Sequence, residues 1–343
     1  MRKRITWLAG GLVLITLILA TSLWIYTDRK VFSLSQSASP ALYDRHYVLI
    51  SSDQSELWQA IFEETGRIAA GENVYLEWIG EGAPVQYTTQ DCMRIAVAAG
   101  VDGILLHPNG SEDLTGLIDD ASDAGIPVMM VLSDDSDSKR ISYVGVNHYQ
   151  MGEFYGEQIV EALEDKDNEV CILMNQSTDN PEQNLLYSQM LQTVENARTK
   201  EQQCHMNVIQ VDTSTSFDAE EDIRDIFVNR ETVPDVLVCL DLVSTECVSQ
   251  ALVDYNEVGN VSVIGYYASP TVLDAIEKGI IRSTIGIDAA EIGRICIGGL
   301  NEYWELGRVS NYFNVGFTAI TQKEAAALLR QESVGRDDDP DTA

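Results

Sequence analysis

Eleven short runs along this chain are apolar almost without interruption, and between them lie stretches whose apolar residues recur at helical spacing. The runs are YVLIS (47–51), VYLEWI (74–79), GILLH (103–107), PVMMVL (127–132), ISYVGV (141–146), EVCILM (169–174), VIQV (208–211), DVLVCL (235–240), VSVIGYY (261–267), IRSTIGI (281–287) and NYFNVGF (311–317). A strand with one wet face alternates apolar and polar residues. A strand covered on both faces reads as a nearly continuous apolar run. In SELWQAIFEETGRIAA, Leu57, Ile61 and Ile68 mark one helical face, and Ser55 is placed to cap it. In DLTGLIDDASDAGIPV, Leu114, Leu117, Ile118 and Ala121 line another, with Gly125 and Pro127 as stops. Asp241 offers an acceptor where the helix after DVLVCL begins. Strand and helix in alternation predict an α/β fold, with parallel sheets covered by helices on both faces. Asp44 to Gln322 is longer than the usual compact unit, so two doubly wound lobes are expected.

The N-terminus reads MRKRITWLAGGLVLITLILATSLWIYTDRK. Arg2, Lys3 and Arg4 precede a run from Ile5 to Tyr26 that meets no charge until Asp28. At about 1.5 Å per residue that run makes a helix of roughly 33 Å, against a hydrocarbon core of about 30 Å. The apolar core of a secretory signal is shorter, about 7–15 residues. Ala20-Thr21-Ser22 resembles a weak cleavage site, but the apolar run continues through Leu23, Trp24 and Ile25. Trp24 and Tyr26 fall where an interfacial aromatic belt would be. There is no nearby cysteine to carry a lipid. The expectation is a cytoplasmic stub (1–4), a single-pass transmembrane signal-anchor (5–27) and a tether (28–43). The lobes then sit on the extracytoplasmic face of the plasma membrane.

The net charge is −32, from 54 acidic and 22 basic residues, which repels nucleic-acid phosphates and polyanions. The cysteines at 92, 171, 204, 239, 247 and 296 have no C-x-x-C spacing, so zinc and thioredoxin-like chemistry lack their signal. G-x-S-x-G, H-E-x-x-H, the P-loop and a G-x-G-x-x-G after a strand are all missing. The four histidines are not at metal spacing. No covalent chemistry, metal or cofactor is expected.

In open parallel sheets, ligands sit beyond the carboxyl ends of the strands. Those ends carry Ser51, Ser52, Gln54, Leu57 and Trp58 after the first run, His107 and Asn109 after the third, and Asp134 after the fourth. Asn175 follows the sixth, Asp241 the eighth and Tyr267 the ninth. Hydroxyls, amides, carboxylates and aromatic faces together suit a small polyhydroxylated ligand, a carbohydrate above all. Each residue taken singly is also ordinary turn chemistry. The convergence of six strand ends favours a site.

The order of segments AAGVDGILLHPN, DAGIPVMMVLSD, ISYVGVNHYQMGEFYGEQI and VSVIGYYASPTVLDAIEKGIIRSTIGIDAAEIGRI resembles the type I periplasmic-binding-protein family, the ribose- and galactose-binding-like solute receptors. The resemblance spans about Tyr47 to Thr321. It implies two lobes joined by three crossover strands, near Val146–Asn147, Ile287–Asp288 and Val315–Gly316, closing on ligand by a hinge. Lobe one would be 44–146 plus 288–315, lobe two 147–287 plus 316–322, with a C-terminal helix and acidic tail over 323–343. By the same resemblance, Ser51 and Trp58 match sugar-contacting positions, Asn109 follows the third-strand proline, and Asp134 falls in an acidic segment. Asn147 lies at the first crossover, and Asp241 matches an aspartate at the eighth strand end. The family's arginine after the sixth strand is absent, with Asn184 and Leu186 there. Its aspartate after the ninth strand is Tyr267, and its polar residue at the second crossover is Ile287, with Asp288 beside it. The implied role is a solute-binding protein that presents its closed form to an ABC sugar permease. Alternatives are a ligand-sensing partner of a membrane sensor histidine kinase and a degenerate scaffold that binds nothing.

Overall fold

A computed structural model describes residues 43–81, 87–108, 113–163, 168–176, 181–197, 204–213, 215–228 and 233–337. The first part of the chain forms β1 (Arg45–Ser51), α1 (Glu56–Gly71), β2 (Val74–Trp78), α2 (Thr89–Ala99), β3 (Gly103–His107), α3 (Thr115–Asp123), β4 (Val128–Val131) and β5 (Ser142–Gly145). The second forms α4 (His148–Ala162), β6 (Asn168–Asn175), α5 (Pro181–Ala197), β7 (Cys204–Val211), α6 (Ser216–Val228), β8 (Val236–Cys239), α7 (Leu242–Asp254), β9 (Ser262–Tyr266), α8 (Pro270–Glu277) and β10 (Ser283–Ile287). The last stretch holds α9 (Ala289–Leu306), β11 (Tyr312–Asn314), β12 (Phe317–Ile320) and α10 (Gln322–Asp337).

The continuous apolar runs are strands because both their faces are covered. All four residues of β4 and all four of β8 are buried, as are Ile104, Leu105 and Leu106 of β3. Each such side chain contributes about 1.5–3 kcal/mol on leaving water. The strands assemble into two six-stranded sheets of the same pattern, β11-β5-β4-β3-β1-β2 and β12-β10-β9-β8-β6-β7. Pairing is parallel throughout except for β10 with β12. The fold is therefore two α/β lobes.

The chain passes between the sheets at three points: between β5 and α4, between β10 and α9, and between β11 and β12. Two of these passages are capped alike. Asn147 accepts the Gln150 N–H at 3.1 Å at the start of α4, and Asp288 accepts the Glu291 N–H at 2.9 Å at the start of α9. Each helix then packs into the lobe it has entered. In α4, Gly152 and Gly156 allow α5 so close that an added Cβ would stand 2.7 Å from Gln189 Cβ and 2.5 Å from Thr193 Cβ. In α9, Gly293 lies against Thr65 of α1, where the same atom would meet Thr65 Cα at 3.0 Å.

Two local expectations are revised. The run NYFNVGF is divided between two strands in different sheets, because Val315 and Gly316 carry the chain across. Ser55 stands at the N-cap of α1 but its side chain makes no capping bond. Asp53 supplies the nearby acceptor instead, taking the Ser55 N–H on Oδ1 at 2.8 Å. Among the described residues no helix is long and apolar enough to cross a membrane. The run Ile5–Tyr26 lies outside the described residues.

Candidate functional site

In each sheet the strand order reverses at one place, beside β1 in the first lobe and beside β6 in the second. Such switch points leave a crevice at the carboxyl ends, where neighbouring connections diverge to opposite faces. In the first lobe, the β1 end is built by Ser51, which is buried. Its Oγ receives the Asp53 N–H at 3.2 Å, while its carbonyl takes the Trp78 indole N–H at 3.3 Å. Trp58, on the first turn of α1, is 1% exposed, and its ring lies 4.4 Å from that of His107 at the β3 end. Leu57 is buried beside it. Ser52, Asp53 and Gln54 form the exposed part of this turn.

His107 is held by its Nδ1, 3.1 Å from the Val131 carbonyl. A carbonyl only accepts, so Nδ1 carries the proton and a neutral ring leaves Nε2 as an acceptor. Burial pushes the imidazole pKa down, against the Asp53 carboxylate and the Val131 carbonyl, which favour the protonated ring. Asp53 also acts on the opposite lobe. Asp241, at the β8 end, has its carboxyl pKa raised first by burial and further by Asp53, while hydrogen bonds from Ser244 oppose the shift. Those bonds are the Ser244 N–H to Oδ1 at 2.7 Å and the Ser244 hydroxyl to Oδ2 at 2.8 Å. Asp53 thus lies within electrostatic reach of a β3 residue in one lobe and a β8 residue in the other.

Asn175, at the β6 end, donates from Nδ2 to Thr213 Oγ1 at 2.7 Å. Tyr267 follows β9 with a left-handed φ of +63°, and its carbonyl accepts the Thr284 hydroxyl at 2.9 Å. Leu132, following β4 at the corresponding place in the first sheet, has φ +60°. A non-glycine residue in that region costs about 1 kcal/mol or more, which both lobes tolerate at the same strand end.

Other sequence-selected residues are differently engaged. Both carboxylate oxygens of Asp134 are taken by Arg140, Oδ1 by Nε and Oδ2 by Nη2 at 2.7 Å. The same guanidinium reaches Asn311 Oδ1 at 2.8 Å. Asp134 is therefore one side of a largely buried ion pair that ties β11 to the β4–β5 connection. Asn147 and Asp288 are helix caps at the crossings, and Asn184 is exposed on α5. Asn109 lies outside the described residues. Three residues were not selected from the sequence: Asp53, Arg140 and Tyr155. Tyr155, fully buried on α4, donates its hydroxyl to the Gly265 carbonyl at 3.2 Å beneath β9. Asp53 stood in the quoted turn, so its position was legible; its reach to Asp241 was not. Among the described residues, no group of His, Cys, Asp and Glu could hold a metal ion.

Around the strand ends Ser51 and Trp58 are buried, Ser52, Asp53 and Gln54 are exposed, and Asn175, Asp241 and Tyr267 are partly exposed. An open cavity of about 320 Å³ lies elsewhere, beside α4 and the third crossing. What the interlobe arrangement offers is a neutral imidazole acceptor, two carboxylates, an amide and hydroxyls.

Two α/β lobes, each with a switch point in its sheet, define a class of ligand-binding proteins. The model of the periplasmic binding protein domain matches residues 47–306, and the chain belongs to that family. No curated protein sequence matches. Among solved structures, the fold is similar to that of GanP, a glucose-galactose binding protein from Geobacillus stearothermophilus. The identity is 23%, with 82% of this chain and 98% of that chain covered and a TM-score of 0.70. A chain of a XylFII–LytSN complex is 22% identical over 82% of this chain and 98% of its own, with a TM-score of 0.68. An ABC transporter solute-binding protein from Burkholderia graminis, in complex with D-arabinose, is 16% identical over 83% and 98%, with a TM-score of 0.72. At these identities the likeness is one of fold.

Proposed function

We propose that this chain is an extracytoplasmic solute-binding protein that closes its two lobes on a small carbohydrate. The observation that carries the reading is the pair of α/β lobes of one strand order, each reversing at a switch point, beside β1 and beside β6, with His107 and Asp241 at the neighbouring strand ends. Acceptors of this kind pair with sugar hydroxyls. Membership of the periplasmic binding protein domain family supports the class of function, as a binding protein and not an enzyme. Relatives of the same fold described as binding glucose-galactose or D-arabinose support the ligand class. In this reading the ligand-binding set is drawn from Ser51, Ser52, Asp53, Gln54, His107, Asn175, Asp241 and Tyr267. The two lobes close on the ligand by bending about the three crossings.

The apolar run Ile5–Tyr26 anchors the protein in the plasma membrane, with the lobes outside. The closed form is presented either to an ABC permease or to a membrane sensor kinase. A permanent anchor without a lipid-bearing cysteine favours the sensor, and the likeness to a chain of the XylFII–LytSN complex supports it.

The test is a melting-temperature series of the purified protein against mono- and disaccharides, polyols and amino acids. A sugar that binds only the native state raises the melting temperature in proportion to RT ln(1 + [L]/Kd). Silence from every carbohydrate, or a response only to amino acids, overturns the ligand class. Calorimetry of Asp241→Asn with the responding sugar then tests the site, with about a tenfold loss of affinity expected for one charged hydrogen-bond partner.

A further inference from the structure

Two open cavities run together along α4. The first, of about 320 Å³, lies between Glu153, Phe154 and Glu157 on the helix and the Asn314–Phe317 segment that crosses between the lobes. The second, of about 250 Å³, shares Glu157 and continues past Val160 and Glu161 toward Thr193 on α5. Phe154, edge-on to Phe317 at a centroid distance of 5.4 Å, supplies the apolar part of the first together with Val315, beside the polar Gln150 and Asn314, and Val160 and Ala197 line the second.

The rim is acidic at regular intervals. Glu153, Glu157 and Glu161 are exposed and four residues apart, about 6 Å per step along one helical face. Among the described residues, none of the three carboxylates is in an ion pair. Glu161 receives only Gln158 Nε2 at 3.4 Å, and the nearby Arg282 donates to the Glu161 backbone carbonyl rather than its side chain. Like charges on successive turns destabilise a helix, and a cation laid across them reverses the effect.

We infer that this groove docks a cationic amphipathic helix of a partner protein. Such a helix would carry Lys or Arg at four-residue intervals to meet the three glutamates, and apolar residues between them to cover Phe154, Val160 and Phe317. The inference deepens the proposed function, because the groove can report lobe closure. One wall is α4, in the second lobe. The other is the third crossing, tied to the first lobe by the Gly316 N–H on Glu291 Oε2 at 3.3 Å and the Val315 N–H on the Gly145 carbonyl at 2.9 Å. A change in the angle between the lobes changes the width of the groove.

The test is a titration of the full-length protein, in detergent and without sugar, with a synthetic helical peptide bearing Lys every fourth residue and Leu between. The same peptide with Glu for Lys is the control. The expected result is saturable one-to-one binding of the Lys peptide alone, about tenfold weaker in the Glu153→Gln/Glu157→Gln/Glu161→Gln triple variant and weakened by salt. A second triple, Glu63→Gln/Glu302→Gln/Glu305→Gln, removes equal charge from exposed positions of the first lobe and leaves the affinity unchanged. Absence of saturable binding overturns the inference, as does equal weakening by both triples, which would assign the binding to the overall charge. Since no sugar enters the titration, failure of the carbohydrate reading leaves this result interpretable.

Discussion

The two lobes share one sheet order but finish their strand ends by different physics. In the first lobe the ends are held by packing: Trp58 against His107, Trp78 reaching the Ser51 carbonyl, and Arg140 locked on Asp134 and Asn311. In the second they are held by short polar caps: Asn175 on Thr213, Asp241 on Ser244, and Thr245 bridging the Asp241 carbonyl and the Tyr266 N–H. Topology alone fixes where an end lies. The local sequence decides whether that end is a rigid apolar platform or an adjustable set of hydrogen bonds. For a protein that closes on ligand, this divides the work, with one lobe keeping its shape and the other supplying replaceable polar partners.

Substitutions that weigh packing against capping break or sharpen this comparison. The largest effect is expected from Trp58→Ala, about 3–5 kcal/mol in denaturant unfolding, because the indole is all but fully buried. A loss below about 1 kcal/mol would mean that the first lobe does not rely on its aromatic platform. Next comes Arg140→Ala, about 3 kcal/mol, since Asp134 is left largely enclosed without its cation and Asn311 loses its donor. Glu246→Gln, which touches the Ser269 hydroxyl at 2.8 Å in the second lobe, is expected to cost under about 1 kcal/mol by the same measurement. Gly156→Ala ranks between these two at about 2 kcal/mol, as the new methyl meets Thr193 and forces α4 from α5. Gly66→Ala on α1, with nothing within 4 Å of the added atom, is expected to stabilise by about 0.5–1 kcal/mol through helix propensity.

The strands were legible because burial on both faces leaves a continuous apolar record, as in VCILM of β6 and VLVC of β8. The helices were legible from their faces, and the Asp241 cap from its position ahead of α7. NYFNVGF deceived because two short strands in different sheets, joined by Val315–Gly316, have the pattern of one. The partners of the site were largely illegible. Asp134 is paired within six residues, but the guanidinium it holds also depends on Asn311, which is 171 residues from Arg140. Trp58 was half legible. It follows Leu57 and stands three residues before Ile61, so the apolar face already pointed it inward, while a role beside sugar pointed it outward. The structure puts its ring under His107.

The smallest effects come from pH, and the two lobes respond with opposite signs. Burial lowers the His107 pKa, so the fold favours the neutral ring. As pH falls through the ordinary imidazole value, about 6.5, the unfolded chain takes up a proton that the native protein refuses, and stability drops. Burial and Asp53 raise the Asp241 pKa, so the fold favours its protonated form. As pH rises through the ordinary carboxyl value, about 3.9, the unfolded chain loses its proton first, and stability drops until the native group also ionises. His107→Gln should therefore flatten the acid-side decline that begins near pH 6.5, and Asp241→Asn the decline that begins near pH 4. Asparagine caps a helix about as well as aspartate, within a few tenths of a kcal/mol, so the second variant keeps α7 in place. Its melting temperature at neutral pH should equal or exceed that of the parent, because a buried charge has been removed and its hydrogen bonds retained in part. A marked fall at neutral pH would show that the carboxylate itself holds the β8 end together. The second lobe would then depend on a fixed charge, as the first depends on its packed aromatics, and the contrast between them would fail at the residue where it matters most.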